Sequence, residues 1–291
     1  METLAVIGVG LIGGSIALAA RQTGAAKRVI GVGRNADRLE QARLAGVIDV
    51  GVKSLTDIAD ADFVVVCTPV DRIVADVLAA TAVVRPAAIL TDAGSVKGTI
   101  CRQLEQQGVS NFVGSHPLAG SEKGGFEHAR ADLFQNRLCV VTPVESSIAD
   151  HVATIEQFWR QLGMRTERLT PERHDQILAL TSHLPHLTAS ALAALIDDTA
   201  LPFASSGFRD TTRVAGGDAQ LWAAILSQNA AAMQRALTQL TQRLDRFSEV
   251  LAHGDTMQLM HLLVEGQLRR EAFERRDEGP GRGGEGPETR D

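Results

Sequence analysis

The stretch LAVIGVGLIGGS, residues 4–15, decides the fold of this chain. A short apolar run leads into Gly8, Gly10 and Gly13, spaced as GxGxxG, and then into a segment with the apolar spacing of a helix. The first glycine permits a tight turn, the second lets the backbone approach a pyrophosphate, and the third allows close helix–strand packing. The helix start offers N–H groups and a positive dipole to the phosphates. The residues expected to contact a dinucleotide here are Gly8, Gly10, Leu11, Ile12 and Gly13. A plain glycine turn is the alternative interpretation.

The composition excludes several classes of protein. The length of 291 residues predicts about two domains, and 44% hydrophobic with 22% charged residues is ordinary for a globular protein. A formal net charge of −6 gives no general attraction to nucleic acid or anionic lipid. The three cysteines form no CxxC pair and indicate neither a disulfide framework nor a zinc site. We expect a cytoplasmic protein, because we find no signal-peptide pattern and no apolar run of about 20 residues.

Short β-branched runs alternate with amphipathic helical segments in the first part of the chain. The predicted strands cover residues 4–8, 28–33, 63–67, 89–91, 112–114 and 138–142. This alternation predicts an α/β fold with a Rossmann-type, doubly wound parallel sheet. A helix over residues 148–162 and a strand near residues 165–169 are expected to complete it. We assign residues 1–170 to this dinucleotide-binding domain.

The strand pattern ends near residue 169, and residues 171–274 are predicted to form an all-α domain for substrate binding and dimerisation. Thr170 and Pro171 have the pattern of a helix N-cap followed by proline at the first helical position. Pro185 is expected to kink the helix that begins there, because proline lacks a backbone N–H.

A long helix is predicted over residues 218–251. Apolar residues recur on it at spacings of three and four, forming a seam of Leu237, Leu240, Leu244, Phe247 and Leu251. Such a seam must be covered, and we expect a homodimer; an intramolecular helix over residues 257–268 is the alternative. Residues 275–291 lack apolar side chains other than proline and are expected to form a disordered tail.

The end of the second strand bears on cofactor choice. Enzymes of this fold that bind NAD carry an acid there for the ribose hydroxyls. Here Gly33 and Arg34 follow the strand, which favours NADP over NAD, since arginine pairs with a 2′-phosphate. An exposed charge at a helix start is the alternative for Arg34. Thr68 and Pro69 follow the predicted strand over residues 63–67 and are expected either to line the cofactor or to form a plain turn.

Ligands of an open α/β sheet lie beyond the carboxyl ends of its strands. Ser95 follows the predicted strand over residues 89–91 and is expected to contact substrate or nicotinamide, or else to cap the next helix. Lys97 is either a surface charge or an electrostatic aid. His116 follows the predicted strand over residues 112–114, among several glycines, in a position to accept a proton as hydride leaves an alcohol carbon. A histidine that merely packs in the loop is the alternative.

The helical domain carries a second set of candidate residues. His183 and His186 are three apart, on one helical face, but no third ligand has suitable spacing, so we predict substrate contact and no metal. Arg209 and Arg213 precede Trp222, and the guanidinium fork suits a carboxylate. For Arg209 we expect a surface ion pair instead.

Five segments, in order along the chain, carry a family resemblance: GVGLIGGS (8–15), TDAGSVK (91–97), GSHPLAGSEKGG (114–125), SHLPH (182–186) and GFRDTTR (207–213). They are similar to segments of the prephenate/arogenate (cyclohexadienyl) dehydrogenase family. Only the first is shared by many other dehydrogenases. The resemblance covers nearly the whole chain apart from the tail.

The resemblance implies oxidation of the C4 alcohol of prephenate or arogenate, hydride transfer to NAD(P), and loss of the ring carboxylate as CO2. The product is 4-hydroxyphenylpyruvate or tyrosine. By position, His116 is the implied catalytic histidine and Ser95 its partner near the nicotinamide. The implied substrate-binding residues are Ser121, Glu122, His183, His186, Arg213 and Trp222. A homodimer through the helical domain is also implied, and the choice of substrate stays open.

The sequence departs from the family pattern in two ways, and two other functions are alternatives to the one that the resemblance implies. Gly33 and Arg34 replace the acidic ending of NAD-preferring members, and the chain after Leu268 is too short and polar to form a regulatory domain. One rival is another dehydrogenase, or an imine reductase, of the same domain plan; those carry a lysine in the helical domain, and residues 172–201 contain none. The other rival is a nucleotide sensor without turnover.

Overall fold

The computed structural model describes residues 1–121 and 123–278. The strands are β1 (Thr3–Ile7), β2 (Arg28–Val32), β3 (Val50–Val52), β4 (Phe63–Val66), β5 (Ile89–Asp92), β6 (Gly114–Pro117), β7 (Leu138–Thr142) and β8 (Arg165–Arg168). The helices among them are α1 (Leu11–Gln22), α2 (Ala36–Leu44), α3 (Ile73–Thr81), α4 (Gly98–Gln106) and α5 (Ala149–Gln161).

Two sheets form the α/β part of the chain. Five parallel strands lie in the order β3-β2-β1-β4-β5, and β6, β7 and β8 form a second sheet in that order. The strand β4 is buried along its whole length, as expected for a continuous apolar run covered on both faces. The predicted α/β class with a doubly wound sheet is confirmed.

The strand β6 differs from the strand predicted over residues 112–114. The strand β6 lies at Gly114–Pro117 rather than at residues 112–114, and Phe112 forms only an isolated bridge with Leu90. The strand β6 pairs with β7 in antiparallel fashion, whereas β7 and β8 are parallel. Proline suggested a loop in the sequence, but Pro117 is tolerated at the last position of an edge strand. As a result His116 lies within the strand.

The helical part begins where the sequence predicted. The helix α6 (Pro171–Leu178) is capped by the Thr170 hydroxyl, which accepts a hydrogen bond from the Arg173 N–H at 3.2 Å. A π-helical turn (Ala179–His183) then joins α6 to α7 (Leu184–Ala193). The predicted kink at Pro185 is therefore a widened turn, which accommodates a residue that cannot donate to the preceding turn.

The later helices are more broken than predicted. They are α8 (Ser206–Thr212), α9 (Ala219–Gln228), α10 (Ala230–His253) and α11 (Thr256–Glu278), with a 3₁₀ turn at Arg213–Gly216. The single helix predicted over residues 218–251 is wrong, because it is interrupted at Asn229. The buried Asn229 side chain donates to the backbone oxygen of Asp175 at 2.9 Å, and this tertiary contact outweighs local helix preference.

The chain divides into two compact units, residues 1–234 and the residues from 235 onward. In the second unit Arg243 of α10 forms an ion pair with Glu265 of α11. The seam nevertheless stays open: Leu237, Leu244 and Leu251 are 40%, 57% and 62% exposed. The alternative partner over residues 257–268 therefore exists as a helix but does not cover these leucines.

Two further findings concern the ends of the helical part. The helix α11 continues to Glu278, so the first four residues of the segment predicted as a tail are helical, and residues 279–291 lie outside the described residues. Among the described helices, none is long and apolar enough to cross a membrane.

Candidate active site

The glycine turn has the geometry that its sequence predicted. Gly8 has φ 97°, and a Cβ added there would lie 2.9 Å from the carbonyl of Cys67. A Cβ on Gly13 would lie 2.1 Å from the Gly8 oxygen, so both positions require glycine for internal reasons. Gly10 differs, because no described atom lies within 4 Å of its hypothetical Cβ. Its open side fits a ligand that approaches the backbone at the start of α1.

A cavity of about 510 Å³ lies beside this turn, at the carboxyl ends of β1, β2 and β4. Its lining includes the turn residues Gly8 and Gly10, and also Gly33, Thr68 and Pro69. Leu11 and Ile12 are the first two residues of α1, directly after Gly10. A cavity at this edge, facing a helix start, fits a dinucleotide.

The cavity wall is rich in positive charge. Its cationic side chains are those of Arg34, Arg38, Lys53 and Arg72. The acidic side chain in the wall, Asp76, accepts a hydrogen bond from the Thr68 hydroxyl at 2.6 Å and lies 3.5 Å from Arg72. The end of β2 carries no acid, and Arg34 is exposed there. The wall is thus suited to a ligand with several phosphates.

Arg38 is held by a neighbouring segment. Its guanidinium binds both carboxylate oxygens of Glu127, with Nη2 2.9 Å from Oε2, and lies 4.8 Å from the centre of the Phe126 ring. This pair joins α2 to the 3₁₀ turn Phe126–His128 at the edge of the cavity.

A hydrogen-bonded chain of side chains surrounds His116. Its Nδ1 lies 2.8 Å from Nε2 of His174, and Nδ1 of His174 lies 2.8 Å from Oδ1 of Asp175. The Asp175 carboxylate accepts the backbone N–H groups of Lys97 and Gly98, both at 2.8 Å. The start of α4 therefore holds the Asp175 end of this chain of hydrogen-bonded side chains.

Sequence reasoning missed His174 and Asp175. They are the fourth and fifth residues of α6, close to Thr170 and Pro171, which were interpreted only as a helix start. A neighbouring histidine and aspartate at a domain boundary was the available signal. Their contact with His116 could not be predicted from the sequence, because His174 and His116 are 58 positions apart.

Both histidines are shifted toward their neutral forms. Burial, followed by the nearby His174, Lys97 and His183, holds the pKa of His116 well below its ordinary value of 6.5. Burial also lowers the pKa of His174, although hydrogen bonding to Asp175 opposes it. A neutral imidazole has one free acceptor nitrogen, so His116 has the form required of a base.

Lys97 is fully buried, and the interpretation of it as a surface charge is wrong. Its ammonium forms an ion pair with the buried Asp92 and donates to the backbone oxygen of Ser115 at 3.0 Å. Asp92 also accepts the Ser115 N–H at 3.1 Å, which ties the end of β5 to β6.

Ser95 lies half-buried in the turn between β5 and α4. It does not cap α4, because the N-cap residue is Lys97 and the N–H groups of Lys97 and Gly98 bind Asp175 instead. Its alternative interpretation as a helix cap is therefore wrong, while its predicted contact with substrate or nicotinamide stays a prediction.

The two histidines of the helical part converge on Trp222. The His186 ring stacks on Trp222 at 3.7 Å between centres, and His183 meets the same ring edge-on at 6.2 Å. Burial lowers the pKa of His183 to about 4. Within the described residues, Nε2 of His183 and Nδ1 of His186 are buried without a hydrogen-bond partner. Buried orphan nitrogens are uncommon and suit a site that receives a polar ligand.

Three further residues named in the sequence analysis, Arg209, Arg213 and Ser121, are at the surface. Arg213 is exposed at the start of the 3₁₀ turn, and Arg209 forms the expected surface ion pair, with Asp210 at 3.3 Å. Ser121 is exposed and accepts the Lys123 N–H at 3.1 Å. Glu122 lies outside the described residues. No group of three metal-ligating side chains is found in the part of the chain that the structure describes.

Comparisons with known proteins agree over most of the chain. The family model described as "Prephenate dehydrogenase, nucleotide-binding domain" matches residues 16–168, and that described as "Prephenate dehydrogenase, dimerization domain" matches residues 170–265. The cyclohexadienyl dehydrogenase of Zymomonas mobilis subsp. mobilis is 34% identical over 284 residues, which are 93% of this chain and 95% of that protein.

Two solved structures are similar over nearly their whole length. Prephenate dehydrogenase from Aquifex aeolicus, in complex with hydroxyphenyl propionate and NAD⁺, superposes with a TM-score of 0.87 at 29% identity, covering 94% of this chain and 98% of that one. Synechocystis arogenate dehydrogenase superposes with a TM-score of 0.82 at 31% identity, covering 94% and 100%. This chain, with its glycine turn, cationic cavity and buried histidine cluster, belongs to the prephenate dehydrogenase family.

Proposed function

We propose that this chain oxidises and decarboxylates prephenate, arogenate or both, with NADP or NAD as hydride acceptor, on the route to tyrosine. The observation that carries this proposal is the placement of His116 within β6, one residue before the strand ends, with a pKa lowered by burial, in a chain of this family. Its neutral imidazole accepts the proton of the C4 hydroxyl as C4 is oxidised.

The cofactor is proposed to bind over the glycine turn. The backbone at Gly10 and the start of α1 hold the pyrophosphate, while Thr68 and Pro69 line the same cavity. When bound, its nicotinamide supplies the acceptor for the hydride from C4. We propose that Ser95 lies near that ring and orients the C4 hydroxyl toward His116.

The substrate's carboxylates and side chain are proposed to meet the helical part. Arg213 pairs with a carboxylate, and the unpartnered nitrogens of His183 and His186 beside Trp222 provide polar contacts. Ser121 and Glu122 are assigned to the same pocket by their sequence positions alone. Loss of CO2 leaves its electron pair in the ring, which becomes aromatic.

For the cofactor, we propose a preference for NADP. The observation behind it is the exposed Arg34 after β2, in a cavity wall that carries four cationic side chains and no acid at the strand end. Replacing Arg34 with aspartate restores an acid that binds ribose hydroxyls and repels a 2′-phosphate. The ratio of kcat/KM for NADP to that for NAD should fall in this variant; an unchanged ratio contradicts the assignment.

We also propose a cytoplasmic homodimer, with a domain boundary at residue 170 and the helical domain at the interface. The exposed leucines of α10 support the dimer, because they form a continuous apolar face that α11 leaves open. The dimerization-domain family match over residues 170–265 supports it as well.

A four-way assay tests the reaction. Purified protein is given prephenate or arogenate with NAD or NADP, and reduced cofactor is followed by absorbance and CO2 release by a coupled assay. We expect turnover in at least one combination, with one CO2 released per reduced cofactor. No turnover in any combination contradicts the proposed function, and reduction without CO2 release contradicts the decarboxylation.

A further inference from the structure

The hydrogen-bonded chain around His116 determines where each proton sits. Asp175 presents both carboxylate oxygens to N–H donors, namely the backbone groups of Lys97 and Gly98 and the ring of His174. A carboxylate with this set of partners acts only as an acceptor. Nδ1 of His174 must therefore carry a proton and donate it to Asp175.

The tautomer of the second histidine follows from the first. A neutral His174 that is protonated at Nδ1 has its lone pair at Nε2. Because Nε2 of His174 lies 2.8 Å from Nδ1 of His116, the latter nitrogen must be the donor. The proton of neutral His116 is then at Nδ1, which leaves Nε2 as its acceptor.

The surroundings of His116 favour this arrangement over a cationic one. Burial lowers its pKa most, followed by His174 on α6, Lys97 before α4 and His183 in the π turn. The negative groups nearby are committed elsewhere, since Asp92 is paired with Lys97 and Asp175 with His174. Among the described residues, the hydrogen-bonded path from His116 to a carboxylate runs through His174 to Asp175.

We propose that His174 and Asp175 are positioning residues that hold His116 with its proton on Nδ1 and its lone pair on Nε2. The inference rests on the proposed function, in which His116 is the base. During the reaction the substrate hydroxyl proton moves to Nε2 of His116. The imidazolium is then stabilised through His174 by the Asp175 carboxylate, and the proton returns to the phenolate oxygen after CO2 has left.

Further hydrogen bonds hold Asp175 and His174 in place. The Asp175 carboxylate is held by the start of α4, and its backbone oxygen accepts a hydrogen bond from the buried Asn229 side chain at 2.9 Å. His174 is fully buried. Neither residue needs to touch the substrate, and both act through the orientation and protonation of His116.

Nitrogen NMR of the wild-type protein tests the tautomer directly and without cofactor. In protein labelled with ¹⁵N-histidine, we expect His116 near neutral pH to show a protonated Nδ1 and an unprotonated Nε2. Its resonances are assigned by their loss in His116→Asn. A protonated Nε2 with a bare Nδ1 overturns the proposal.

Kinetics test the coupling. Asp175→Asn should lower kcat about 10²–10⁴-fold, because an amide presents N–H where an acceptor is needed and favours the opposite tautomer. His174→Phe, which keeps a ring but removes both nitrogens, should lower it in the same range. The matched control is Asp150→Asn, the same change at an exposed position in the first turn of α5, where kcat should be unchanged.

A double-mutant cycle separates this role from a structural one. In a His116→Asn background, adding Asp175→Asn should lower kcat less than about twofold further, since residues that act as a unit are not additive. Fully additive losses overturn the proposal. If His116→Asn alone leaves kcat unchanged, the proposed function fails; if only Asp175→Asn and His174→Phe leave it unchanged, the positioning role fails alone.

Discussion

Replacing Lys97 with methionine is expected to destabilise the protein strongly, although methionine is also unbranched and only one heavy atom shorter than lysine. The Lys97 ammonium and the Asp92 carboxylate are both fully buried, and Lys97 also donates to the Ser115 backbone oxygen at 3.0 Å. Removing one partner leaves a buried carboxylate uncompensated, which costs about 3–5 kcal/mol. At about 2–4 °C per kcal/mol for a protein of this size, the melting temperature should fall by about 6–20 °C.

Differential scanning fluorimetry of three variants measures the effect. Lys27→Met is the matched control, because its ion pair with Glu2 is largely exposed and its loss should leave the melting temperature unchanged. Lys97→Met combined with Asp92→Asn should recover part of the loss, since no buried charge remains. A fall of less than about 2 °C in Lys97→Met refutes the reasoning that the pair ties β5 to β6.

Three further outcomes are expected. Arg213→Ala should raise the substrate KM about 10–150-fold with little change for the cofactor, because one charge-assisted hydrogen bond is worth about 1.5–3 kcal/mol; an unmoved KM removes Arg213 from the substrate site. The kcat/KM profile should stay flat through pH 6.5 and fall only in more acid solution, because the pKa of His116 is held below 6.5 and only the neutral form accepts a proton; an acid limb centred above 6.5 contradicts this. Leu244→Glu should convert a dimer to a monomer in light scattering, because Leu244 is 57% exposed on the open face of α10, whereas a dimer that persists places the interface elsewhere.

The parts of the structure that the sequence predicted are those whose chemistry is local. Gly13 needs glycine because a Cβ there would meet the Gly8 oxygen in the same turn, and Gly8 favours glycine because of its positive φ. Thr170 with Pro171 begins a helix through contacts within four residues. The α/β class follows from the alternation of short apolar runs. Such features depend on neighbours in the chain, so spacing and residue type are sufficient to identify them.

The features that the sequence did not predict depend on distant partners. The burial of Lys97 was unexpected because lysine is almost never fully buried unless paired, and pairing is a tertiary property. The predicted helix breaks at Asn229, whose side chain donates a hydrogen bond to Asp175, 54 positions earlier. The contact between His174 and His116 also joins residues far apart in the chain, so the sequence did not predict the residues that orient the proposed base.

The π-helical turn between α6 and α7 makes the length of this segment as important as its composition. His174 and Asp175 precede the turn, whereas His186 follows it. Removing one residue from the turn would rotate α7 relative to α6 by about 100°, the angle between successive residues of an α-helix. The ring of His186 would then leave Trp222 while His174 stayed on His116. Point substitutions in Ala179–His183 should therefore alter the pocket less than a deletion in this turn. Two relatives that are equally identical to this chain but differ in the length of this turn would have different substrate pockets.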